Sequence, residues 1–556
     1  MPTHFDTDAE DSKLARLRER EEEDLTQILA EKYRFPYTDL TAIPINMDAL
    51  RVVPEKEAIE AEAVAFDKNG RHLSVAIHNP NNSHLPALEH ALQARGFTVE
   101  RYMISKRSLA VGLGRYKELS LATVTTAGVF DLQGDEFRSM SEDLSSVPAL
   151  KEFLDKSLVA KKNAQLSQIF EGLLASAFGL KASDIHIEPE ETGVRLRFRL
   201  DGVLTDIYTF DDHAYRLLNS RIKLLSGLKL NVGNRAQDGR FSVVVNEKEV
   251  EIRTSIIPGN YGESAVLRIL DPSAISHSFS EMGVHPKLLE RLQKEIRRPN
   301  GMLLTTGPTG SGKTTTLYAF LKEVQTPEIK VVTIEDPIEY HLQGIVQTQT
   351  NGKDYTFASG LRSVLRQDPD VIMVGEIRDA DVAATAIQAA LTGHFVLSTL
   401  HTNNAAGAFP RLVDLGIDPK TIPSAVTVAM AQRLVRTLNK ETRVKRPATP
   451  EEVSLMKKEF ETCTDPALIP TSFDELWSPT ESEGGSGYKG RTAVVEAIFM
   501  DDELAEFLRT NPSSSDIQKN TRRQGYLTMA QDGILKALEG ITTIEEVVKV
   551  VDLGHS

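Results

Sequence analysis

The stretch Gly-Pro-Thr-Gly-Ser-Gly-Lys-Thr, residues 307–314, decides the fold class of this chain. It fits the phosphate-binding pattern G-x-x-x-x-G-K-[ST] without a mismatch. An apolar run at 302–304 precedes it, and a helix-compatible run at 315–324 follows it. Glycines let successive backbone N–H groups turn toward phosphate oxygens, and the helix amino terminus adds partial positive charge. The stretch therefore predicts a P-loop within an α/β domain.

The residues of this loop have predicted roles. We expect Lys313 to bind the β- and γ-phosphates of a nucleotide and the Thr314 hydroxyl to ligand Mg²⁺. The competing interpretation is a glycine-rich turn that matches by chance, and the flanking strand and helix patterns argue against it. The predicted nucleotide-binding residues are Gly307, Pro308, Thr309, Gly310, Ser311, Gly312, Lys313, Thr314 and Thr315.

Composition and charge restrict the class of protein. The chain has 556 residues, 40% hydrophobic and 26% charged, which is typical of a globular protein. This length predicts about three or four domains. The net charge of −15 argues against direct nucleic-acid binding, because phosphate backbones attract basic surfaces. Cys463 is the only cysteine, which excludes an intrachain disulfide and a four-cysteine zinc site.

Two further features bear on the location of the protein. No apolar run approaches the roughly 18 residues of a membrane span. The acidic N-terminus has no signal-peptide pattern. We therefore expect a cytoplasmic protein that contacts a membrane only through partners.

Composition and periodicity also predict the domain order. An acidic segment is followed by a small α/β domain, a linker, a second α/β domain and the P-loop domain, over residues 1–24, 25–116, 117–147, 148–283 and 284–556. Alternating runs at 73–77, 194–199 and 249–253 predict strands in the two α/β domains. The short polar stretch 272–283 is expected to act as a hinge.

Acidic residues follow two predicted buried strands of the P-loop domain. The run 330–334 leads into Glu335-Asp336-Pro337-Ile338-Glu339, and the run 371–375 leads into Glu376. Open α/β sheets bind ligands at the carboxyl ends of their strands, so these carboxylates are candidate site residues. Glu376 would hold Mg²⁺ there. The alternatives are turn capping for the first group and an ordinary surface acid for Glu376.

Histidines and arginines supply further candidates. His394 and His401 flank a predicted strand and are seven residues apart, so on a regular strand they face opposite sides and do not share a metal. Each is either a sensor or relay at the phosphate site or a structural residue. Arg253 and Arg268 lie in the preceding domain, and arginines can stabilise the charge on a transferring phosphoryl group.

Four stretches, in this order and spacing, resemble the secretion ATPase superfamily of type II secretion and type IV pilus motors. They are TGPTGSGKTTTLY at 306–318, TIEDPIEY at 333–340, LRSVLRQDPDVIMVGEIRD at 361–379 and TGHFVLSTLHTN at 392–403. The runs SDIHIEP at 183–189 and QDGR at 237–240 resemble the second N-terminal domain of that family, and PYTDLTAIPI at 36–45 resembles its first. QRLVRTL at 432–438 resembles a C-terminal signature.

The resemblance implies a fold and an assembly. The fold is a RecA-like P-loop ATPase core preceded by a PAS-like α/β domain and a small α/β N-terminal domain. The assembly is a homohexameric ring that hydrolyses ATP with Mg²⁺ as cofactor. Its implied partner is an inner-membrane platform or adaptor protein of a pilus or secretion machine, at the inner face of the cytoplasmic membrane.

The resemblance also assigns catalytic roles by position. Glu339 corresponds to the general base for the attacking water, and Glu376 to the Walker B acid. His394 and His401 correspond to the histidine pair of the family. Arg253 and Arg268 correspond to the arginines that approach the nucleotide from the N-terminal domain.

One segment departs from the family pattern. Many members carry a tetracysteine zinc module after QRLVRTL, whereas the segment at about 439–486 contains only Cys463. We therefore expect this insert to hold no zinc. A helix near 450–460 and a Gly-Ser-rich end are predicted within it.

Three functions remain open from the sequence. The first is an ATP-driven assembly motor for a type IV pilus or a secretion pseudopilus. The second is a nucleic-acid-translocating ring ATPase, which the acidic charge argues against. The third is a non-hydrolysing P-loop scaffold, which the presence of Lys313, Glu339 and Glu376 argues against. Residues 25–116 favour an assembly or secretion motor, since retraction motors of the family are typically shorter.

Overall fold

A computed structural model gives the fold. It describes residues 22–43, 45–50, 52–118, 123–124, 129–131, 135–159, 165–245, 248–271, 279–480 and 486–553. The chain divides into two compact units. The first consists of Met1–Met140 with Glu152–Ala175, and the second of Ser141–Lys151 with Ser176–Ser556. Each unit is described by itself.

The first unit contains a small α/β domain with a three-stranded sheet. Its elements are α1 (22–33), α2 (Met47–Leu50), α3 (Glu55–Ala61), β1 (Ala63–Asn69), β2 (His72–Ile77), α4 (Leu85–Ala94), β3 (Thr98–Met103) and α5 (Lys106–Gly114). Strand β2 lies in the centre, antiparallel to β1 and parallel to β3. The strand predicted at 73–77 is therefore confirmed, and its Leu73, Val75 and Ile77 lie in an apolar core.

The segment predicted as a linker, 117–147, contains regular structure in its described part. Strands β4 (Thr123–Val124) and β5 (Val129–Asp131) pair antiparallel, and α6 spans Asp135–Asp143. Phe137 and Leu144 are buried, although the composition of this stretch mixes small, polar and acidic residues. Two further helices follow, α7 (Val147–Val159) and α8 (Gln165–Gly179).

The second unit begins with an antiparallel sheet. Its elements are β6 (Asp184–Glu190), β7 (Gly193–Leu200), β8 (Val203–Phe210), α9 (Asp212–Leu225), β9 (Gln237–Val245), β10 (Lys248–Gly259) and β11 (Gly262–Leu270). Within this unit the strand order is β9-β10-β11-β6-β7-β8. The strands predicted at 194–199 and 249–253 lie in β7 and β10 and are confirmed. Arg253 of β10 and Arg268 of β11 are direct cross-strand neighbours.

The P-loop domain is built on a seven-stranded sheet. Its elements up to the last parallel strand are α10 (Pro286–Glu295), β12 (Gly301–Thr306), α11 (Lys313–Val324), β13 (Val331–Glu335), β14 (Val346–Gln349), α12 (Phe357–Val364), β15 (Val371–Val374), α13 (Ala380–Leu391), β16 (Phe395–Leu400), α14 (Ala408–Asp414), α15 (Ile422–Ala425) and β17 (Val426–Leu438). The strand order is β14-β13-β15-β16-β12-β17-β20, where β20 is Tyr488–Phe499. All pairs are parallel except β17 with β20.

Burial of both faces of the sheet explains why the sequences of these strands are continuous apolar runs. Every residue of β12, β13, β15 and β16 is buried, as expected when helices cover both faces of a parallel sheet. Since the strands are parallel, their carboxyl ends meet at one edge of the sheet. The P-loop and the acidic residues after β13 and β15 are thereby brought to the same edge. The predicted α/β class is confirmed.

The insert and four further helices complete the described part of the chain, and the insert shares one apolar core with the last two of these helices. The elements are β18 (Val444–Pro447), α16 (Pro450–Phe460), β19 (Glu475–Ser478), α17 (Asp502–Leu508), α18 (Ser514–Thr521), α19 (Met529–Leu538) and α20 (Ile544–Val550). Strands β18 and β19 pair antiparallel. Met456 and Phe460 of α16 pack with Ile534 of α19 and Ile544 of α20. The predicted helix near 450–460 is confirmed.

The structure also bears on the predicted hinge and on the expected lack of a membrane span. Most of the candidate hinge at 272–283 lies outside the described residues, and its end forms a short 3₁₀ helix, Phe279–Met282. In the described part of the chain, no helix is both long enough and apolar enough to cross a membrane.

Candidate functional site

The P-loop connects the buried strand β12 to helix α11. Gly307, Gly310 and Gly312 have φ values of +152°, +79° and +87°, which residues other than glycine rarely adopt. A Cβ on Gly307 would lie 2.6 Å from the Ser311 Oγ. The loop therefore needs glycine at these positions, and its backbone is exposed to a ligand at the amino end of α11.

Lys313 lies at the first position of α11 and turns back over the loop. Its Nζ donates hydrogen bonds to the carbonyl oxygens of Gly307 at 2.7 Å and Pro308 at 3.0 Å. Burial lowers the pKa of Lys313, and the nearby Glu376 carboxylate opposes that shift. A partly desolvated ammonium held by two neutral carbonyls is well placed to exchange them for phosphate oxygens, which carry full charge.

The donor set of this loop fits a nucleotide with Mg²⁺. The Ser311 Oγ is buried and has no hydrogen-bond partner within the described residues. Thr314 follows Lys313 in the first turn of α11, and Glu376 lies close enough to affect the Lys313 pKa. The described residues contain no cluster of three or more His, Cys, Asp or Glu that could hold a metal alone. Mg²⁺ at nucleotide sites needs only one or two protein ligands beside phosphates and water, and Thr314 and Glu376 are the residues that would hold it.

Glu335, the last residue of β13, is fully occupied by neighbours. It is 3% exposed, and its Oε1 accepts hydrogen bonds from the Thr333 Oγ1 at 2.5 Å and the Gln347 Nε2 at 3.1 Å. The Tyr318 hydroxyl donates to its Oε2. A buried carboxylate that already accepts three hydrogen bonds is held in place and is not open to an attacking water. Glu335 is therefore a structural residue of the strand end.

Glu339 has different surroundings on the loop that follows. Its side chain is accessible to solvent but is surrounded by protein on most sides. These surroundings raise the pKa of Glu339 by desolvation, while Arg253 and Arg268 act in the opposite direction. An accessible carboxylate with a raised pKa is suited to accept a proton from water.

The two arginines reach this loop from the antiparallel sheet of the same unit. Arg253 donates from Nη2 to the Ile338 carbonyl oxygen at 2.5 Å, and from Nε to the Glu251 carboxylate at 2.9 Å. Arg268 donates from Nε to the Asp184 carboxylate at 2.9 Å. The structure therefore brings Arg253 into direct contact with the residue before Glu339.

Asp184 orients Arg268 from a buried position. Burial alone would raise the pKa of the Asp184 carboxyl, but hydrogen bonds from Arg268 and Ser183 hold it below its usual value. Asp184 is 4% exposed, whereas the Arg268 side chain is 62% exposed. The arginine is thus fixed at its Nε while the rest of the guanidinium group remains accessible.

Glu376 is the centre of a charged cluster at the end of β15. Its carboxylate accepts a hydrogen bond from the Arg378 Nε and lies 3.2 Å from the His401 Nε2. Arg378 also donates to the Asp336 carboxylate at 3.3 Å, and its guanidinium lies over the Phe357 ring. The cluster joins the acidic loops after β13 and β15 to the histidine after β16.

The structure separates the two predicted histidines within one subunit. His401 follows the carboxyl end of β16 and contacts Glu376, whereas His394 precedes the amino end of that strand. The His394 Nδ1 lies 3.1 Å from the Ala389 carbonyl oxygen. Six extended residues separate the ends by about 20 Å. A catalytic role for His394 stays a prediction that this geometry does not support within one subunit.

Sequence reasoning missed two buried polar residues beside the P-loop. Gln432 and Arg433 lie on β17 and are 1% and 9% exposed. The Gln432 side chain contacts the P-loop and α11, and Arg433 contacts the segment after His401. Two local signals mark this polar pair: it follows the apolar run 428–431, and it begins the QRLVRTL signature at 432–438.

The parallel sheet, the P-loop and the acids at the same sheet edge define a P-loop nucleotide-binding protein with a RecA-like core. The family model described as Type II/IV secretion system protein matches residues 159–549, and the model described as MshEN domain matches residues 33–123. The chain belongs to the type II/IV secretion system protein family, a family of secretion ATPases.

Individual relatives agree with this assignment. The chain is 40% identical to the type II secretion system protein E of Aeromonas hydrophila, over 79% of this chain and 86% of that protein. It is 33% identical to the type IV pilus assembly ATPase PilB of Myxococcus xanthus, over 95% of this chain and 91% of that protein. The X-ray structure of the Yersinia pseudotuberculosis ATPase DotB covers 69% of this chain and 93% of its own, with a TM-score of 0.50 and 20% identity, and supports the fold alone.

Proposed function

We propose that this protein hydrolyses MgATP and uses the energy to assemble a type IV pilus or a type II secretion pseudopilus. It would act as a homohexameric ring in the cytoplasm, docked on an inner-membrane platform or adaptor protein. The observation that carries the proposal is the hydrogen bond from Arg253 to the Ile338 carbonyl. It ties the antiparallel sheet to the loop of Glu339, so chemistry at that loop can change how the sheet and the P-loop domain are arranged.

Each side chain has a step in the proposed reaction. Lys313 leaves its two carbonyl partners and binds the β- and γ-phosphates. Glu339 orients the attacking water and takes its proton. Arg253 and Arg268 stabilise the charge on the transferring phosphoryl group. Thr314 and Glu376 would hold Mg²⁺, which when bound neutralises charge between the phosphates.

The choice of this function rests on the relatives as well as the site. Relatives similar over most of this chain are a type II secretion protein and a type IV pilus assembly ATPase. The cytoplasmic location and the hexamer are part of the proposal. DNA translocation is less favoured, since the chain carries a net charge of −15.

The test is ATP turnover of the full-length chain and of Lys313→Ala. We expect the variant to lose at least about tenfold in turnover and in MgADP affinity together, because a charge leaves the phosphate site. Lys322→Ala, on the same helix but exposed, is the control and should stay within about twofold.

Two outcomes would contradict the proposal. Equal turnover of Lys313→Ala and wild type would contradict the assignment of residues 307–314 as the nucleotide-binding P-loop. Strong stimulation of turnover by double-stranded DNA would favour a translocase instead.

A further inference from the structure

The P-loop is held from behind by strand β17. Thr306, the last residue of β12, pairs with Ala431, so Gln432 lies beside the start of the loop. Gln432 is 1% exposed, and a Cβ added to Gly312 would lie 2.8 Å from its Nε2. A Cβ on Gly307 would lie 2.8 Å from the Gln432 carbonyl oxygen. Two glycines of the loop are therefore required by the approach of β17 as well as by their own backbone angles.

Both ends of the Gln432 amide are hydrogen-bonded, each to a different part of the motif. Its Nε2 donates to the Ser311 carbonyl oxygen at 2.6 Å. Its Oε1 accepts from the Thr316 Oγ1 at 2.7 Å. A carbonyl can only accept, so the amide orientation is fixed, and a carboxylate could not replace it without placing two acceptors together. One side chain thus joins the loop to the first turn of α11 on either side of Lys313 and Thr314.

Arg433 extends the connection to the segment after His401. Its Nη1 donates to the Gln432 carbonyl oxygen at 3.0 Å, and its Nη2 donates to the Asn403 carbonyl oxygen at 2.7 Å. Glu496 of β20 accepts from the Ala405 backbone N–H at 2.8 Å. Burial lowers the pKa of Arg433 and raises that of Glu496. The charge of each residue acts against the shift in the pKa of the other. The P-loop and the segment after His401 are therefore fixed to the same buried polar network.

We propose that Gln432 is a positioning residue for nucleotide binding. Its amide sets the position of the loop against α11, so that Lys313 and Thr314 face the phosphates before nucleotide arrives. Such a bond in a buried site cannot be exchanged for water, and its loss leaves the Ser311 carbonyl without a donor. The inference rests on the proposed function, since it concerns the same nucleotide site.

The test compares Gln432→Met with Gln531→Met in the full-length protein. Gln531 is also 1% exposed, and its amide accepts from the Thr528 N–H and donates to the Glu459 carbonyl oxygen and the Thr462 Oγ1, between the insert and the C-terminal helices. Gln432→Met removes two amide hydrogen bonds from a buried site and Gln531→Met removes three, so thermal stability should fall in both variants, and at least as much in Gln531→Met. MgADP affinity, measured by calorimetry below the melting temperature, should fall about tenfold only in Gln432→Met.

A second variant examines the same contact from the other side. Thr316→Val keeps the shape of a fully buried side chain but removes the hydroxyl that donates to Gln432. We expect MgADP affinity to fall about threefold to tenfold, with a larger increase in the KM for ATP than loss of kcat.

The outcomes separate this inference from the proposed function. If wild type neither binds MgADP nor hydrolyses ATP, the proposed function fails and the inference fails with it. If wild type binds MgADP but Gln432→Met and Thr316→Val stay within about twofold of it, Gln432 is only structural and the inference is overturned. Equal affinity losses in Gln432→Met and Gln531→Met would overturn it as well.

Discussion

Glu335 ends strand β13 and Glu339 lies four residues later on the following loop, and their surroundings give them different chemistry. Glu335 is buried and accepts hydrogen bonds from Tyr318, Thr333 and Gln347. Glu339 is accessible to solvent, and partial desolvation by the surrounding protein raises its pKa. The availability of the carboxylate agrees with the position in the motif that made Glu339 the candidate base.

Glu339→Gln should separate nucleotide binding from hydrolysis. The substitution keeps the size of the side chain but removes the proton acceptor, so turnover should fall by roughly 10²–10⁴-fold. MgADP affinity should stay within about threefold, since Glu339 does not hold the phosphates. Steady-state turnover and calorimetric titration measure the two quantities. Full turnover in Glu339→Gln would place the base elsewhere.

The pH dependence of turnover tests the assignment of Glu339 as the base independently. A base must be ionised, so wild-type turnover should fall as the pH drops through the raised pKa of Glu339. Arg253 lowers that pKa, so Arg253→Ala should move the acid limb to higher pH. Arg240→Ala, on the neighbouring strand with a side chain 71% exposed, should leave the limb in place. An acid limb that does not move in Arg253→Ala would argue against Glu339 as the titrating group.

At the scale of elements, the insert shows how a small subdomain is stabilised by apolar packing. Met456 and Phe460 of α16 contact side chains of α19 and α20, and Thr449 with Glu452 forms a capping box at the start of the helix. Arg446 adds hydrogen bonds to the Glu452 carboxylate at 2.6 and 2.7 Å. These contacts hold the described part of the insert against the C-terminal helices.

Met456→Ala should therefore destabilise the protein, while chelators should not. Met456 is fully buried, and truncating such a side chain costs about 2–5 kcal/mol of unfolding free energy. Ile469→Ala, at a side chain 39% exposed, is the control and should cost less than about 1 kcal/mol. Denaturant unfolding with and without EDTA, in the absence of nucleotide, measures both effects. A lower unfolding free energy in EDTA would contradict the expectation that the insert holds no zinc.

At the scale of the whole molecule, the proposed function connects chemistry to movement through the antiparallel sheet. Arg253 and Arg268 belong to β10 and β11, whereas Lys313 and Glu339 belong to the P-loop domain. We expect the contacts between the antiparallel sheet and the P-loop domain to change when phosphate is released, since the proposed charge that the arginines face is then lost. The proposed hinge at 272–283 stays a prediction.

Mixing experiments test whether the sites of a ring act together. Arg268→Ala should lower turnover while nearly preserving MgADP affinity, because the arginine acts mainly on the transition state. If the subunits are coupled, rings that combine wild-type and Arg268→Ala subunits should lose more activity than the fraction of mutant subunits predicts. Turnover is measured against the mutant fraction, with subunit exchange confirmed by a label on one population. A strictly linear dependence would show independent sites and contradict a coordinated motor.

The sequence by itself determined what depends on neighbours along the chain. The P-loop was predictable because its glycines, Lys313 and Thr314 are consecutive and because strand and helix patterns flank them. Buried parallel strands were predictable from apolar runs, since both of their faces are covered. Acids directly after such strands had to lie at one edge of the sheet, and the family followed from several motifs in order.

Only the tertiary structure decided which side chains are available and which are held. Glu335 is occupied by donors from α11, β13 and β14, and Gln432 reaches the P-loop from a strand more than a hundred residues later. Arg253 meets the loop of Glu339 across two different sheets. A local pattern fixes the element that a residue occupies, but packing between distant elements fixes its partners and its exposure to water, and these determine its chemistry.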